Sequence, residues 1–193
     1  MSETTSTTRR VAGPGARQRI QRAAARLFYR RGIHATGVDL IAQEANVSKR
    51  TLYQHFASKT DLVADYLRAF DAQGGSPVEN RLNDLQLPPR ERLLGIFDAR
   101  PAKVFRGCPF HNAAVESAGA LRGVDDIVRS HKLAFTDRLI AVAEEAGAAD
   151  AQLLGRQLAV LFEGATAMAT SLNDTTPFVH ARAAAAALID AAT

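Results

Sequence analysis

The chain contains a single cysteine, Cys108, among its 193 residues. One cysteine cannot form an internal disulfide framework, and its thiol suits the reducing cytoplasm, where we expect the protein to reside. No run of apolar residues is long enough to cross a membrane, and no apolar signal segment follows the first residues, so we expect no membrane partner. The alternation of polar and apolar residues that is typical of strands is also missing, which predicts an all-α protein.

Motifs that identify common enzyme classes are missing as well. The sequence has no glycine-rich phosphate loop after a strand, no histidine pair at metal-binding spacing and no nucleophile elbow. Cys108, His111 and His131 come nearest to a metal site, but no fourth ligand stands at a recognisable spacing. We therefore expect no catalytic residues, no metal and no cofactor, and we do not expect an enzyme.

The charged residues are unevenly distributed along the chain. Its 24 Lys and Arg and 20 Asp and Glu give a net charge of +4. Residues 1–72 hold 12 basic and 6 acidic side chains, whereas the remainder holds 12 and 14. The positive excess thus lies in the N-terminal part, as expected of a surface that neutralises phosphates. Residues 1–14 are rich in Ser and Thr and include Arg9 and Arg10, which is typical of a disordered basic arm.

Residues 36–56 have the pattern of two short helices joined by a tight turn. Thr36 and Asp39 are spaced as a capping box at the start of the first helix. Asn46 follows its last apolar position, and Asn tolerates the left-handed conformation that turns the chain sharply. One face of this helix carries apolar residues at helical spacing and is predicted to be buried. These residues are Val38, Ile41, Ala42 and Ala45.

The second helix begins after Ser48, a favourable N-cap residue, and Leu52 and Phe56 face inward at helical spacing. Its polar residues fall on the outer and flanking faces. They are Lys49, Arg50, Thr51, Tyr53 and His55. Such side chains reach phosphates and base edges when a recognition helix lies in the DNA major groove. Periodicity alone leaves an ordinary helical hairpin with a solvated basic face as an equal alternative.

The flanking segments favour the DNA-binding interpretation. Residues 17–31 carry an apolar stripe beside a stripe of arginines, and Gly32 ends this predicted helix. Ser58 and Asp61 form a capping box that opens a helix to about residue 70. Lys59 lies in its first turn, where a phosphate could meet both the side chain and the helix N-terminus.

In order and spacing, residues 16–70 resemble the N-terminal DNA-binding domain of the TetR family of transcriptional regulators. Asn46 stands where the family usually has Gly, and Arg50 stands where many members have Gly or Pro, which leaves Arg50 free to read a base. Gly37 replaces a small hydroxyl residue, so a phosphate contact there would come from the backbone. The matching positions are 24–28, Gly32, Thr36, Val38, 41–42, Ala45, 47–49, 51–53, 55–56 and Lys59.

This resemblance implies DNA-contacting residues and a division of the chain. We expect residues 15–72 to form a three-helix helix-turn-helix domain with its connecting helix, and residues 73–193 a larger helical domain for effector binding and dimerisation. Thr36 and Ser48 would hold helix starts. The expected DNA-binding residues are Thr36, Gly37, Ser48, Lys49, Arg50, Thr51, Tyr53, His55 and Lys59.

The last two predicted helices are rich in small residues, which could merely complete one core, because Ala is a good helix former. The resemblance implies instead that they pair with a second copy in a four-helix interface. A homodimer would read a palindromic double-stranded DNA operator with two recognition helices. The expected interface residues are Leu158, Leu161, Ala165, Ala169, Ala184 and Leu188.

The resemblance also implies a repressor that a small, largely apolar effector releases from DNA. For Cys108 a buried core position is the favoured interpretation, and a redox-sensing thiol would need exposure and a low pKa. A regulator without a ligand and a helical enzyme or carrier are the alternatives. The predicted pocket residues are Phe97, Phe105, Cys108, Phe110, Asn112, Phe135 and Phe162.

Overall fold

A computed structural model describes residues 15–98, 105–117, 120–121 and 123–193. The predicted basic arm, residues 1–14, lies outside the described residues. Every regular element in the described ranges is helical, so the predicted all-α fold is confirmed. None of the described helices is long and apolar enough to cross a membrane.

The N-terminal part consists of four helices whose apolar faces meet. Ile20 and Phe28 from the first helix pack with Ile41, Leu52 and Leu67 from the next three, and all five side chains are buried. Fully burying an apolar side chain of this size contributes roughly 1.5–3 kcal/mol, so this core fixes the relative positions of the short helices. The helices are α1 (Ala16–Arg31), α2 (Val38–Glu44), α3 (Lys49–His55) and α4 (Lys59–Asp71).

Within the described ranges, the C-terminal part begins with a 3-10 helix, Glu79–Asn83, and continues with five α-helices. The long pair α7 and α8 crosses closely at Gly155, because a Cβ there would lie 2.8 Å from backbone atoms of Ile140. The first turn of α5 begins with Pro89, which needs no hydrogen-bond donor at that position. The helices are α5 (Pro89–Gly95), α6 (Pro109–Ser117), α7 (Val124–Glu145), α8 (Ala151–Leu172) and α9 (Thr176–Ala192).

Two apolar clusters hold the chain together, and the first one joins both parts. Phe110 and Ala113 of α6, together with Val124 and Val128 of α7, belong to the same cluster as α1–α4. The second cluster lies among α5, α7, α8 and α9. α6 and α7 therefore pack directly against the N-terminal helices.

Candidate functional site

The turn between α2 and α3 has the predicted geometry. Asn46 adopts a positive φ of 50°, and the amide of Val47 donates to the carbonyl of Ala42 at 3.0 Å. The Ser48 hydroxyl then accepts a hydrogen bond from the amide of Thr51 at 3.0 Å and caps α3. These local interactions set the direction in which α3 leaves the turn.

Thr36 does not have its predicted role. Its side chain is 0% exposed, and its hydroxyl donates to the carbonyl of Gly32 at 2.7 Å. The N-cap of α2 is Gly37, which makes no side-chain cap hydrogen bond, and Asp39 pairs instead with Lys49. The capping box and a direct DNA contact by Thr36 are therefore wrong, since a fully buried hydroxyl fastens the end of α1 to the start of α2.

The polar side of α3 faces solvent, while Leu52 on the opposite side is buried. Lys49 Nζ lies 2.8 Å from Asp39 Oδ1, and this hydrogen bond raises the pKa of Lys49. Thr51 is half-buried, and the Tyr53 side chain is 44% exposed. The exposed residues of the predicted set on this helix are Lys49, Arg50, Tyr53 and His55.

α4 follows α3 in the chain, and its first turn has the predicted N-cap residue, Ser58. The Ser58 hydroxyl accepts from the amide of Asp61 at 3.0 Å and lies 2.9 Å from the Asp61 carboxylate. Lys59 is half-buried. Burial lowers the pKa of Lys59, and the carboxylate of Glu116 on α6 opposes that effect. Lys59 is thus the first residue of a capped helix.

Arg17 of α1 supports α3, and the sequence did not predict this contact. Its guanidinium lies 4.5 Å from the centre of the Phe56 ring, donates to the carbonyl of His55 at 3.2 Å and pairs with Asp65 at 2.9 Å. The predicted arginine stripe on α1 did not include Arg17, whose partners depend on how α1 packs against α3 and α4.

A cavity of about 750 Å³ is lined mainly by the C-terminal part, together with Tyr29 of α1 and Phe70 of α4. Of the predicted pocket residues, Phe105, Cys108 and Phe162 line it. The wall is formed by Tyr29, Phe70, 76–79, Arg81, Asp98, Phe105, 107–109, Phe162, Thr166 and Phe178. Aromatic and aliphatic surfaces with a few polar groups are typical of small-molecule sites.

The other predicted pocket residues do not line this cavity. Phe97, Phe110 and Phe135 are buried in the two apolar clusters, where they are enclosed by neighbouring side chains. Asn112 donates to the carbonyl of Arg106 at 2.6 Å and so closes the loop before α6. These four residues therefore lie outside the wall of this cavity, because core packing and loop closure use side chains of the same kinds as ligand binding does.

Glu79 is a wall residue that sequence analysis missed. Its side chain is almost fully buried, and its Oε2 lies 3.6 Å from His131 Nε2 and 3.8 Å from Arg138. Burial raises the pKa of Glu79, against the opposing effect of His131 first and then of Ser76 and Arg138. The sequence indicated Glu79 only as a capping partner of Ser76, and the Glu79 amide does donate to the Ser76 hydroxyl at 3.3 Å.

Cys108 has the environment of a core thiol. It is buried, and burial raises its pKa, although the nearby Lys132 ammonium, 3.6 Å from the sulfur, opposes this rise. A raised pKa disfavours the thiolate that redox sensing requires. In the described ranges, no group of three or more His, Cys, Asp or Glu side chains could hold a metal ion.

The outer face of α8 and α9 is apolar and exposed. Val160 is 73% exposed and Met168 57%, and both line a groove between the two helices. Leu158 and Ala169 are instead buried within the chain, so their assignment to an intermolecular interface is wrong, whereas Ala165, although 4% exposed, lines the groove. Leu161, Ala184 and Leu188 keep part of their surface accessible.

Comparison with known proteins gives a consistent family. The sequence profile described as "Bacterial regulatory proteins, tetR family" matches residues 20–66. The HTH-type transcriptional repressor KstR2 of Mycobacterium tuberculosis is 37% identical over 112 residues, which cover 55% of this chain and 52% of that protein. The HTH-type transcriptional activator FasR of Mycolicibacterium smegmatis is 58% identical over 40 residues, covering 21% of this chain and 18% of that protein. The chain spans about half the length of the KstR2 repressor that it matches.

Two solved structures extend the likeness to nearly the whole chain. A TetR-type regulator from Streptomyces avermitilis is 33% identical with a TM-score of 0.79, covering 93% of this chain and 98% of that one. The TetR-family regulator SCO4454 from Streptomyces coelicolor is 30% identical with a TM-score of 0.79, covering 92% and 89%. The protein thus belongs to the TetR family, whose members are transcriptional regulators and not enzymes.

Proposed function

We propose that the protein is a cytoplasmic transcriptional repressor that binds a palindromic operator as a homodimer and is released by a small, largely apolar effector. The observation that carries the proposal is α3, a helix with a buried Leu52 on one side and an exposed polar face on the other. A short helix held this way by α1 and α2 can enter a major groove without disturbing its own support. Residues 15–72 would form the DNA-binding unit and residues 73–193 the regulatory one.

The proposed DNA contacts come from two helix starts and the face of α3. Ser48 and the backbone of Gly37 would meet phosphates at the helix starts, and Lys59 would do so from α4. Arg50 would read the acceptor edge of a guanine. Lys49 would exchange its partner Asp39 for a phosphate, because DNA is the more highly charged acceptor. The remaining proposed contacts are Thr51, Tyr53 and His55.

The proposed dimer interface is the exposed face of α8 and α9, which differs in part from the residues expected from the family resemblance. Apolar surface of this kind stabilises association by roughly 25 cal/mol per Å² removed from water. The proposed partner of this face is a second copy of the chain. Two-fold symmetry would place the two α3 helices on one side of the dimer, ~34 Å or a multiple apart. The interface would contain Val160, Leu161, Gly164, Met168, Leu172, Val179, Ala184 and Leu188.

Two contacts support a mechanical connection between the cavity and the DNA-binding helices. α6 begins at the wall residue Pro109, directly after the wall residue Cys108, and near its end the carboxylate of Glu116 accepts from the amide of His34 at 2.8 Å. His131 of α7 contacts Asp71, the last residue of α4. A ligand that shifts α6 or α7 would therefore change the position of α3 relative to its symmetry mate.

Selection of binding sites from random double-stranded DNA with the full chain tests the proposal. We expect an inverted repeat with half-sites one helical turn, or a multiple, apart, at a stoichiometry of one or more dimers per site. A matched selection with Arg50 and Tyr53 both replaced by Ala should lose the enrichment. Failure of the unmodified chain to enrich any sequence would refute DNA-binding regulation.

A further inference from the structure

Part of the cavity wall belongs to the first helix of the DNA-binding part. Tyr29 of α1 lines the cavity and is half-buried, so some of its side chain stays accessible to a ligand. Its hydroxyl accepts a long hydrogen bond, 3.4 Å, from the amide of Arg106 in the loop that precedes α6. A ligand that fills the cavity therefore contacts α1 itself, with no helix of the C-terminal part between them.

The same end of α1 is held by α6 at a second point. Gly32 directly follows the last residue of α1, and a Cβ there would lie 2.9 Å from Oε2 of Glu116. Two residues later the amide of His34 donates to the same Glu116 oxygen at 2.8 Å. Glu116 belongs to the last turn of α6, whose first residue, Pro109, lies in the cavity wall. The C-terminal end of α1 is thus bound near both ends of α6.

The opposite end of α1 is bound on both sides of α3. Arg19 Nε donates at 3.0 Å to the carbonyl of Ala45, the residue at which α2 ends before the turn into α3. Arg17 donates at 3.2 Å to the carbonyl of His55, the last residue of α3, and its guanidinium lies 4.5 Å from the centre of the Phe56 ring. The two arginines therefore hold a helix of only seven residues before its start and at its end.

α1 is rigid enough to connect its two ends. It is a continuous helix of 16 residues, so about 18 Å of helix axis separates Arg17 from Tyr29. Ile20, Ala24 and Phe28 on its buried face belong to the same apolar cluster as residues of α2, α3 and α4. Closely packed interiors shift as a unit and deform little, and rigid elements of this kind carry coupling between distant sites. A displacement of α1 at Tyr29 therefore moves α3 as well.

We propose that α1 transmits effector binding to α3: a ligand in the cavity presses on Tyr29 and displaces α1, and Arg17 and Arg19 move α3 with it. This inference rests on the proposed effector site and adds a second connection to the one through α4, which begins at the wall residue Phe70. The two connections differ in their requirements, because only the connection through α1 depends on the side chain at position 29.

The first test asks whether a ligand contacts α1. The chain contains no Trp, so Tyr29→Trp introduces a single Trp into the cavity wall. The probe is 4-bromo-4′-hydroxybiphenyl, whose bromine quenches tryptophan fluorescence only at close range, and 4-hydroxybiphenyl is the analogue without bromine. We expect saturable quenching by the brominated probe alone. Leu133→Trp is the control, at an exposed position of α7 outside the wall, and it should show no saturable quenching. Unquenched fluorescence in Tyr29→Trp, or equal quenching in both variants, would overturn the proposal.

The second test measures transmission to the DNA. The operator is the sequence selected from random DNA, and coupling is the ratio of its Kd with saturating 4-hydroxybiphenyl to its Kd without probe. In the unmodified chain this ratio should be about 5–150, as is typical of coupled sites. Tyr29→Ala should lower the ratio about five-fold, because the shortened side chain no longer receives pressure from the ligand, while calorimetric titration still shows probe binding. Tyr29→Leu, which keeps more of the apolar side chain, should give an intermediate ratio.

Phe105→Ala is the matched control, because it removes an aromatic ring from the same wall but not from α1. It should weaken probe binding and leave the ratio at saturation unchanged. A full ratio in Tyr29→Ala, or an equal fall in Phe105→Ala, would overturn transmission through α1 and leave the proposed repressor intact. An unmodified chain whose operator affinity does not respond to the bound probe would refute release by an effector, and transmission through α1 with it.

Discussion

Nδ1 of His131 lies 2.7 Å from Oδ1 of Asp71. Asp71 is the last residue of α4, and His131 belongs to the middle of α7. The imidazole is buried and stacks on the ring of Phe110, with centres 3.6 Å apart and planes 7° from parallel. Its other nitrogen faces Glu79 in the cavity wall. One side chain therefore contacts α4, α6 and the cavity-wall residue Glu79, and it is the place where we expect ligand binding to influence α4.

Replacing this histidine should reduce the coupling between ligand and DNA. His131→Phe keeps a flat ring against Phe110 but removes the contacts with Asp71 and Glu79. We expect operator affinity without ligand to change less than three-fold, and the loss of affinity caused by ligand to fall below the ~1–3 kcal/mol typical of coupled sites. Operator titrations with and without a compound that raises the melting temperature measure this. His111→Phe, at an exposed position of α6, is the control, and equal coupling in both variants would contradict the prediction.

Arg50 should determine sequence preference. Arg50→Ala is expected to relax the consensus at one position and cost ~1–3 kcal/mol if the guanidinium binds a guanine through two hydrogen bonds. Lys59→Ala provides the comparison, because loss of a phosphate contact should weaken all DNA sequences alike and lower the salt dependence by about one unit. Binding to the selected operator and to single-base variants distinguishes them. An unchanged consensus and affinity in Arg50→Ala would rule out base reading by this residue.

Thr36 should matter for stability and not for DNA contact. Thr36→Val keeps the shape of the side chain but removes the donor to the Gly32 carbonyl, which should lower the free energy of unfolding by ~1–3 kcal/mol. Urea unfolding measures this loss, and the operator consensus should stay the same. Thr51→Val, at a half-buried position of α3, is the contrasting variant. An unaltered stability with a changed consensus in Thr36→Val would restore a direct DNA role.

The exposed face of α8 should mediate dimerisation. Met168→Glu places a charge on a surface that is accessible in the single chain, so the fold should persist while association becomes unfavourable. Light scattering should then report a monomer, and operator affinity should fall by at least a hundred-fold. Leu133→Glu is the control, because Leu133 is an exposed apolar residue of α7 that lies outside the groove. A dimeric Met168→Glu protein would place the interface elsewhere.

The buried carboxylate of Glu79 should make stability depend on pH. Its pKa is raised above the ordinary value of 4.5, so the folded chain holds this proton more tightly than the unfolded chain does. Above the raised pKa, the ionised carboxylate of Glu79 therefore lowers the free energy of unfolding. Protonation of Glu79 removes this destabilisation as the pH falls towards 4.5. The surrounding charges are His131, Lys132, Arg138 and, across His131, Asp71.

Glu79→Gln should accordingly raise the melting temperature at pH 7.5, and the gain should shrink at pH 5.0. Calorimetric scans of both proteins at several pH values measure the difference. Asp98→Asn, which removes an exposed carboxylate paired with Arg182, should show no such gain. A gain for Glu79→Gln that grows as the pH falls would mean that the sign of the argument is wrong.

Local sequence rules were sufficient wherever an interaction spans only a few residues. The turn at Asn46, the caps at Ser48 and Ser58 and the inward positions of Leu52 and Phe56 all follow from rules of this range, and the structure has each of them. The backbone conformation and the nearest hydrogen-bond donors decide such features before the helices pack.

Other features depended on which distant groups meet after packing. The Thr36 hydroxyl could either cap α2 or donate to the Gly32 carbonyl. The packing of α1 against α2 determines that it donates to the Gly32 carbonyl. In α8, Leu158 and Val160 are both apolar, so their type alone does not say which of them is buried and which stays exposed in the single chain.

The cavity is the clearest case of this kind. Phe97 and Phe162 are equivalent as sequence features, yet the packing of α5 against α7 encloses one, while the other keeps a surface on the open space. Glu79 reaches that space only because a 3-10 helix lies across α7, near His131. Helical periodicity specifies the direction in which a side chain points away from the axis of its helix. A cavity arises instead from the distances between helix axes, and the packing of the whole chain sets those distances.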